Sequence, residues 1–114
     1  MGFKDKGESI AVDYLRKKGY KILANNFNGK GFEIDVIAGK GNTISFVEVK
    51  RRKNSKFMNP LESIDKKRKE HLIKGAKFFM QSNNLYDRCD VRFDVITIIG
   101  KDENIEHYED AFRA

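Results

Sequence analysis

The chain has 114 residues, 39% hydrophobic and 35% charged, enough for one core and one domain (residues 1–114) but not for two. It holds no apolar run of about 20 residues, Met1 to Lys6 lacks the apolar stretch of a secretory signal, and Lys6 stands where a myristoylation pattern wants Ser or Thr. The lone Cys89 excludes an internal disulfide and fits a reducing cytoplasm, while a formal net charge of +6 points to a polyanionic partner.

In residues 6–18 the apolar side chains Ile10, Ala11, Tyr14 and Leu15 recur at helical spacing, and Lys17-Lys18-Gly19 has the chemistry of a helix end. Tyr20, Ile22 and Leu23 predict a first strand that stops in the turn-rich residues 25–31. Residues 32–50 read as a hairpin of two apolar strands. Residues 51–59 form a polar, basic loop, and Pro60 leads into a second helix with Ile64, Leu72, Ala76 and Phe79 on one face. Gly75 in that helix allows close backbone approach, and Asn83-Asn84 ends it. Residues 92–99 read as a buried strand and residues 105–108 as a short one, with Asp110-Ala111-Phe112 packing the C-terminus down. The order α-β-β-β-α-β-β is that of an α/β fold, a mixed sheet flanked by helices.

Four charges interrupt the hairpin. Side chains alternate faces along a strand, so Glu33 and Asp35 share one face of the first strand, and Glu48 and Lys50 share one face of the second. A hairpin centred on Lys40-Gly41 sets Glu33 opposite Glu48 and makes Asp35 a diagonal neighbour of Glu48. A slip of two residues keeps the acids together; a slip of one separates them. Facing carboxylates repel, and burying them is costly without compensation. A hard divalent cation such as Mg²⁺ is the natural compensator, and with Lys50 at the end of the row the set suits phosphodiester hydrolysis. The alternative, a solvent-facing salt bridge, would expose Ile37, Ile44 and Phe46. Glu8 lies on the inward stripe of Ala11 and Leu15, either as a further acid of the site or as a first-turn glutamate favouring the helix dipole.

The positive charge is concentrated. Lys50, Arg51, Arg52, Lys53, Lys56, Lys66, Lys67, Arg68, Lys69, Lys74 and Lys77 are opposed between positions 50 and 77 only by Glu62, Asp65 and Glu70. Such a lobe attracts phosphate backbones, or else is a solvated face kept soluble by lysines. No motif for reading base edges accompanies it. Phe57 and Met58 are expected to pack beneath the loop, and His71 and His107, without partners at ligand spacing, to be surface residues.

The pattern Gly7-Glu8, Ala11, Tyr14-Leu15, Gly19-Tyr20, Ile22-Leu23 and Asn26, followed by Glu33-Ile34-Asp35-Val36-Ile37 and Phe46-Val47-Glu48-Val49-Lys50, resembles the YraN family of predicted nucleases. Arg92-Phe93-Asp94-Val95 and Asp110-Ala111-Phe112 extend the likeness over nearly the whole chain. That family is similar to archaeal Holliday-junction resolvases and to restriction endonucleases with the PD-(D/E)xK motif, which implies a restriction-endonuclease-like core. The resemblance implies a metal, Mg²⁺ or Mn²⁺, held by Asp35 and Glu48, with the backbone carbonyl of Val49 and, directly or through water, Glu8. It implies that Lys50 orients or activates water and that DNA, branched or damaged structures included, is the substrate; cutting symmetric junctions would favour a homodimer. Arg51, Arg52, Lys53, Lys56, Lys66, Lys67, Arg68 and Lys69 would grip phosphates. The chain departs from the family in Phe32, where the family usually has Gly, and in Ile34, where the motif has Pro. The alternative reading is a nucleic-acid-binding module without catalysis.

Overall fold

Two helices each bury one apolar stripe, Ala11, Val12 and Leu15 on the first and Leu72, Ala76, Phe79 and Met80 on the second, and a sheet between them receives both. The computed structural model describes residues 6–54 and 64–114. Its elements are α1 (Lys6–Lys17), β1 (Lys21–Gly29), β2 (Phe32–Lys40), β3 (Thr43–Arg52), α2 (Lys66–Ser82), β4 (Asp90–Ile99) and β5 (Asn104–Phe112), in the order expected from the sequence. The five strands lie side by side in chain order. All neighbours are antiparallel except β3 and β4, whose parallel pairing requires the crossover that α2 supplies. On the α2 side the sheet contributes Ile34, Ile37, Phe46, Phe93 and Val95; on the α1 side it contributes Val36, Ala38, Val47, Ile96 and Ile98. Among the described residues no helix is long and apolar enough to cross a membrane.

The α2 helix begins at Lys66, later than Pro60 suggests, because Asp65 caps it: its carboxylate accepts from the Arg68 backbone N–H at 2.8 Å. Pro60, together with Lys56, Phe57 and Met58, lies outside the described residues. Gly75 brings the helix close to β2, since a Cβ there would stand 2.8 Å from Ile34 Cδ1 and 3.2 Å from Phe32 Cδ1. Phe32 uses that space and stacks on Phe78 with ring centroids 5.2 Å apart. Cys89 is half-buried against the same cluster.

β1 runs six residues past Leu23, because Asn25, Phe27 and Asn28 pair with Val36, Ile34 and Glu33 instead of turning. The signal of Asn and Gly is absorbed by one kink. Asn26, across from Asp35 in this register, takes φ 53°, which Asn tolerates better than most residues. The kink breaks the face alternation of β2. Val36 and Ala38 point to α1 and Ile37 to α2, which by alternation sends Ile34 to α1, yet Ile34 packs on α2.

β5 also outruns its expected span, reaching Phe112, which stacks on Phe93 at 4.8 Å. Its register against β4 shifts between Phe93 and Val95, and the fully buried Asp94 repairs the break. Asp94 accepts from the Asp110 backbone N–H at 3.1 Å and from Arg92 at 2.9 Å through both Nε and Nη2. His107 Nε2 lies 2.8 Å from Asp94 and its Nδ1 3.2 Å from the Tyr14 hydroxyl, so an Nε2–H tautomer satisfies both ends. The expected surface position of His107 is therefore corrected: its side chain is 7% exposed, enclosed because Tyr14 and Asp94 supply polar partners inside. Burial pushes the Asp94 carboxyl up, but His107 and Arg92 outweigh it and hold the group below its usual range. Asp94→Ala removes the buried acceptor of Arg92, His107 and the Asp110 N–H, leaving Arg92 with Glu109 and Tyr20, and should cost about 1–3 kcal/mol in chemical denaturation; a loss within the range of a surface substitution would show that the network does not clasp β5.

Candidate active site

The β2–β3 hairpin turns through Gly41-Asn42, not Lys40-Gly41, because Lys40 pairs with Thr43. Gly41 takes φ 60°, the geometry a tight two-residue hairpin turn asks of its first central residue. The register is thus the two-residue slip of the expected one. Val36 faces Val47 at the end of the ladder, and Asp35, the next residue of β2, reaches with its carboxylate to the N–H of Val49, beside Glu48. Both acids are interior, at 7% and 4% exposure, and Ile37, Ile44 and Phe46 are buried with them, which rules out the solvent-facing salt bridge.

Three side chains from three elements converge on Glu48. Arg68, in the first turn of α2, donates from Nε to both carboxylate oxygens at 3.0 Å and from Nη2 to Oε1 at 2.6 Å. The same guanidinium lies 3.5 Å from Glu33 and 3.9 Å from Asp35. Lys50, next but one on the strand, places Nζ 3.3 Å from Glu48 Oε2. Asp35 hydrogen-bonds Glu48 and accepts the Val49 backbone N–H at 2.9 Å. Arg68 is the member that sequence reasoning assigned to phosphate instead. Its spacing to Leu72, Gly75 and Phe79 puts it on the buried stripe of α2, the signal that could have turned it inward.

The pair is electrostatically divided. Burial, and then the negative charge of Glu48, push the Asp35 carboxyl up to about 7. Burial also raises Glu48, but Arg68 and Lys50 outweigh it and hold that carboxyl below its usual value. At neutral pH Asp35 is therefore protonated about half of the time while Glu48 stays charged, and a second positive charge would replace that proton favourably.

Glu8 turns inward beside Ala11, Val12 and Leu15, in the first turn of α1, as its stripe requires. Among the described residues no group of three or more acid, imidazole or thiol side chains is gathered in a metal-holding cluster. The donors present are two hard carboxylates on neighbouring strands. They fit an ion such as Mg²⁺ that keeps several of its own waters. Of the basic residues, Lys66, Lys67, Arg51 and Lys53 are exposed; Lys69 sits over the Phe112 ring at 5.5 Å and Arg51 reaches Glu103 at 3.7 Å.

Residues 7–98 match the family described as "Uncharacterised protein family UPF0102". The chain belongs to the UPF0102 family. It is 44% identical to a UPF0102 protein of Clostridioides difficile (strain 630) over 95% of its own length and 94% of that protein's. It is 46% identical to one from Thermodesulfovibrio yellowstonii (93% and 91% covered) and 41% identical to one from Chlorobium phaeobacteroides (95% and 91% covered). The UPF0102 match spans every member of the site, from Glu8 to Arg68.

The raised Asp35 gives this UPF0102 chain a pH signature in metal-free buffer. Between its unfolded value near 4 and its folded value of about 7, the folded chain binds a proton that the unfolded chain does not. That contribution is full below about pH 4 and disappears as pH rises through 7, on the order of 4 kcal/mol in all. Asp35→Asn should flatten this part of the curve when denaturation is followed from pH 5 to 8 with EDTA present. Parallel curves for the two proteins would refute the assignment.

Proposed function

We propose that this protein is a Mg²⁺-dependent nuclease, also served by Mn²⁺, that hydrolyses DNA phosphodiester bonds, with branched or damaged DNA as the substrate class. The observation that carries the reading is the buried Asp35–Glu48 pair facing across two strands with Lys50 3.3 Å from one of them, at the edge of a basic lobe. Asp35 and Glu48 would hold the ion, with Glu8 acting on it through water. When bound, the ion supplies a more acidic water and screens the charge that develops on the phosphoryl group. Lys50 orients the attacking water and adds fixed positive charge where negative charge grows. Arg68 occupies the same carboxylates and must release them for a divalent ion; its planar fork then suits a phosphate. Lys66, Lys67 and the basic end of β3 position the strand without reading bases.

A second reading has one observation in its favour. Arg68 already neutralises Glu48 with an internal cation, as a structural ion pair in a nucleic-acid-binding module would. The two separate in a cleavage assay over single-stranded, duplex and branched DNA with Mg²⁺ or Mn²⁺. The nuclease reading expects Asp35→Ala and Glu48→Ala each to lower metal-dependent cleavage by about 10²–10³-fold, with DNA affinity in EDTA unchanged. Binding without cleavage of any of these substrates by the unaltered protein would leave the module.

A further inference from the structure

Alternation along β3 puts Arg52 on the face that carries Glu48 and Lys50, ~13 Å beyond Glu48 along the strand. There the ends of β3 and β4 open into a cavity of about 560 Å³ lined by Arg51, Arg52, Lys53, Gly100 and Lys101. Among the described residues, every side chain in that lining is a cation. The Gly100 N–H is spent on the Arg52 carbonyl at 2.9 Å, which ties the β4–β5 turn to the end of β3 and brings Lys101 to the same cavity. Arg51 has a carboxylate neighbour, Glu103 at 3.7 Å, which Lys6 shares at 3.4 Å. Arg52 differs: its Nε is buried and, among the described residues, finds no hydrogen-bond partner. A buried donor on a charged group left unmet is costly, and three further cations around it raise the cost. A multiply charged oxyanion removes both penalties, and the guanidinium fork matches a phosphate with two parallel hydrogen bonds.

We infer that this cavity is a phosphate-binding site filled by a phosphate of a nucleic-acid strand whose neighbouring nucleotides run back along β3 to Asp35 and Glu48. The inference rests on the nuclease reading for its ligand and adds Lys101 and the β4–β5 turn to the binding surface. It makes Arg52 a positioning residue, holding the strand at a fixed distance from the carboxylate pair.

The test follows the Arg52 Nε–Hε resonance by NMR in EDTA, where nothing is cut, during titration with inorganic phosphate and, separately, with a short single-stranded oligonucleotide. The oligonucleotide should shift the resonance, and Arg52→Gln with Lys101→Gln should weaken its binding about tenfold and lower the salt slope by about one. Lys17→Gln with Lys18→Gln, the same charge loss on the exposed end of α1, should leave the Arg52 shift in place. A shift with inorganic phosphate but not with the oligonucleotide overturns the strand as the source. No shift with either overturns the site. Cleavage measured in parallel keeps the two readings apart. A protein that binds through Arg52 and never cuts loses the nuclease reading alone, and one that cuts with Arg52 unmoved loses the pocket alone.

Discussion

Two carboxylates that face each other across neighbouring strands, out of water, cannot both be charged without a cation between or beside them. The structure around Asp35 and Glu48 is arranged by that constraint. Arg68 answers it from α2, and it reaches Glu48 because Asp65 fixes where α2 starts and Gly75 lets the helix lie close on β2. The kink at Asn26 acts at the same place from the other side, where Ile34 packs under α2 against the alternation of β2. A helix cap, a helix glycine and a left-handed asparagine thus serve one electrostatic requirement.

Asp94 shows what a purely structural buried acid looks like in the same protein. It has Arg92, His107 and a backbone N–H, and its carboxyl is held below the usual range. Asp35 has one backbone N–H, a distant guanidinium and a like-charged neighbour, and its carboxyl is pushed up. The residue type and the depth are similar; the partners differ. Perturbation of this second kind, from desolvation and a like charge together, is what accumulates at sites that bind or react, where local satisfaction is given up.

The hairpin was legible because its apolar alternation and its charges obey one period, and the helices because their apolar stripes obey another. The register was less so: Gly-Lys-Gly-Asn offers more than one turn centre, and the backbone's preference for φ 60° at Gly41 decides between them. The ion pair of Arg68 and the burial of His107 were hidden from the sequence for a common reason. A basic side chain on its own reads as surface, and only the acids that come from other strands, Glu48 and Asp94, draw them in. Long-range partners of that kind are what a single sequence shows least.

Along β3 the α2-facing row changes sign, from Glu48 through Lys50 to Arg52, toward the carboxyl ends of the parallel pair β3 and β4. Ligands of parallel α/β sheets favour that end, where loops leave the strands and open a crevice. A polyanion drawn to the basic end would lie with its charge against Arg52 and Lys101, and its continuation would meet two acids that repel it. That repulsion disappears only when a further positive charge enters between Asp35 and Glu48. On the proposed reading the gradient would therefore make a bound strand and a divalent ion favour one another at the carboxylate pair, while Arg68 pairs with Glu48 when neither is there.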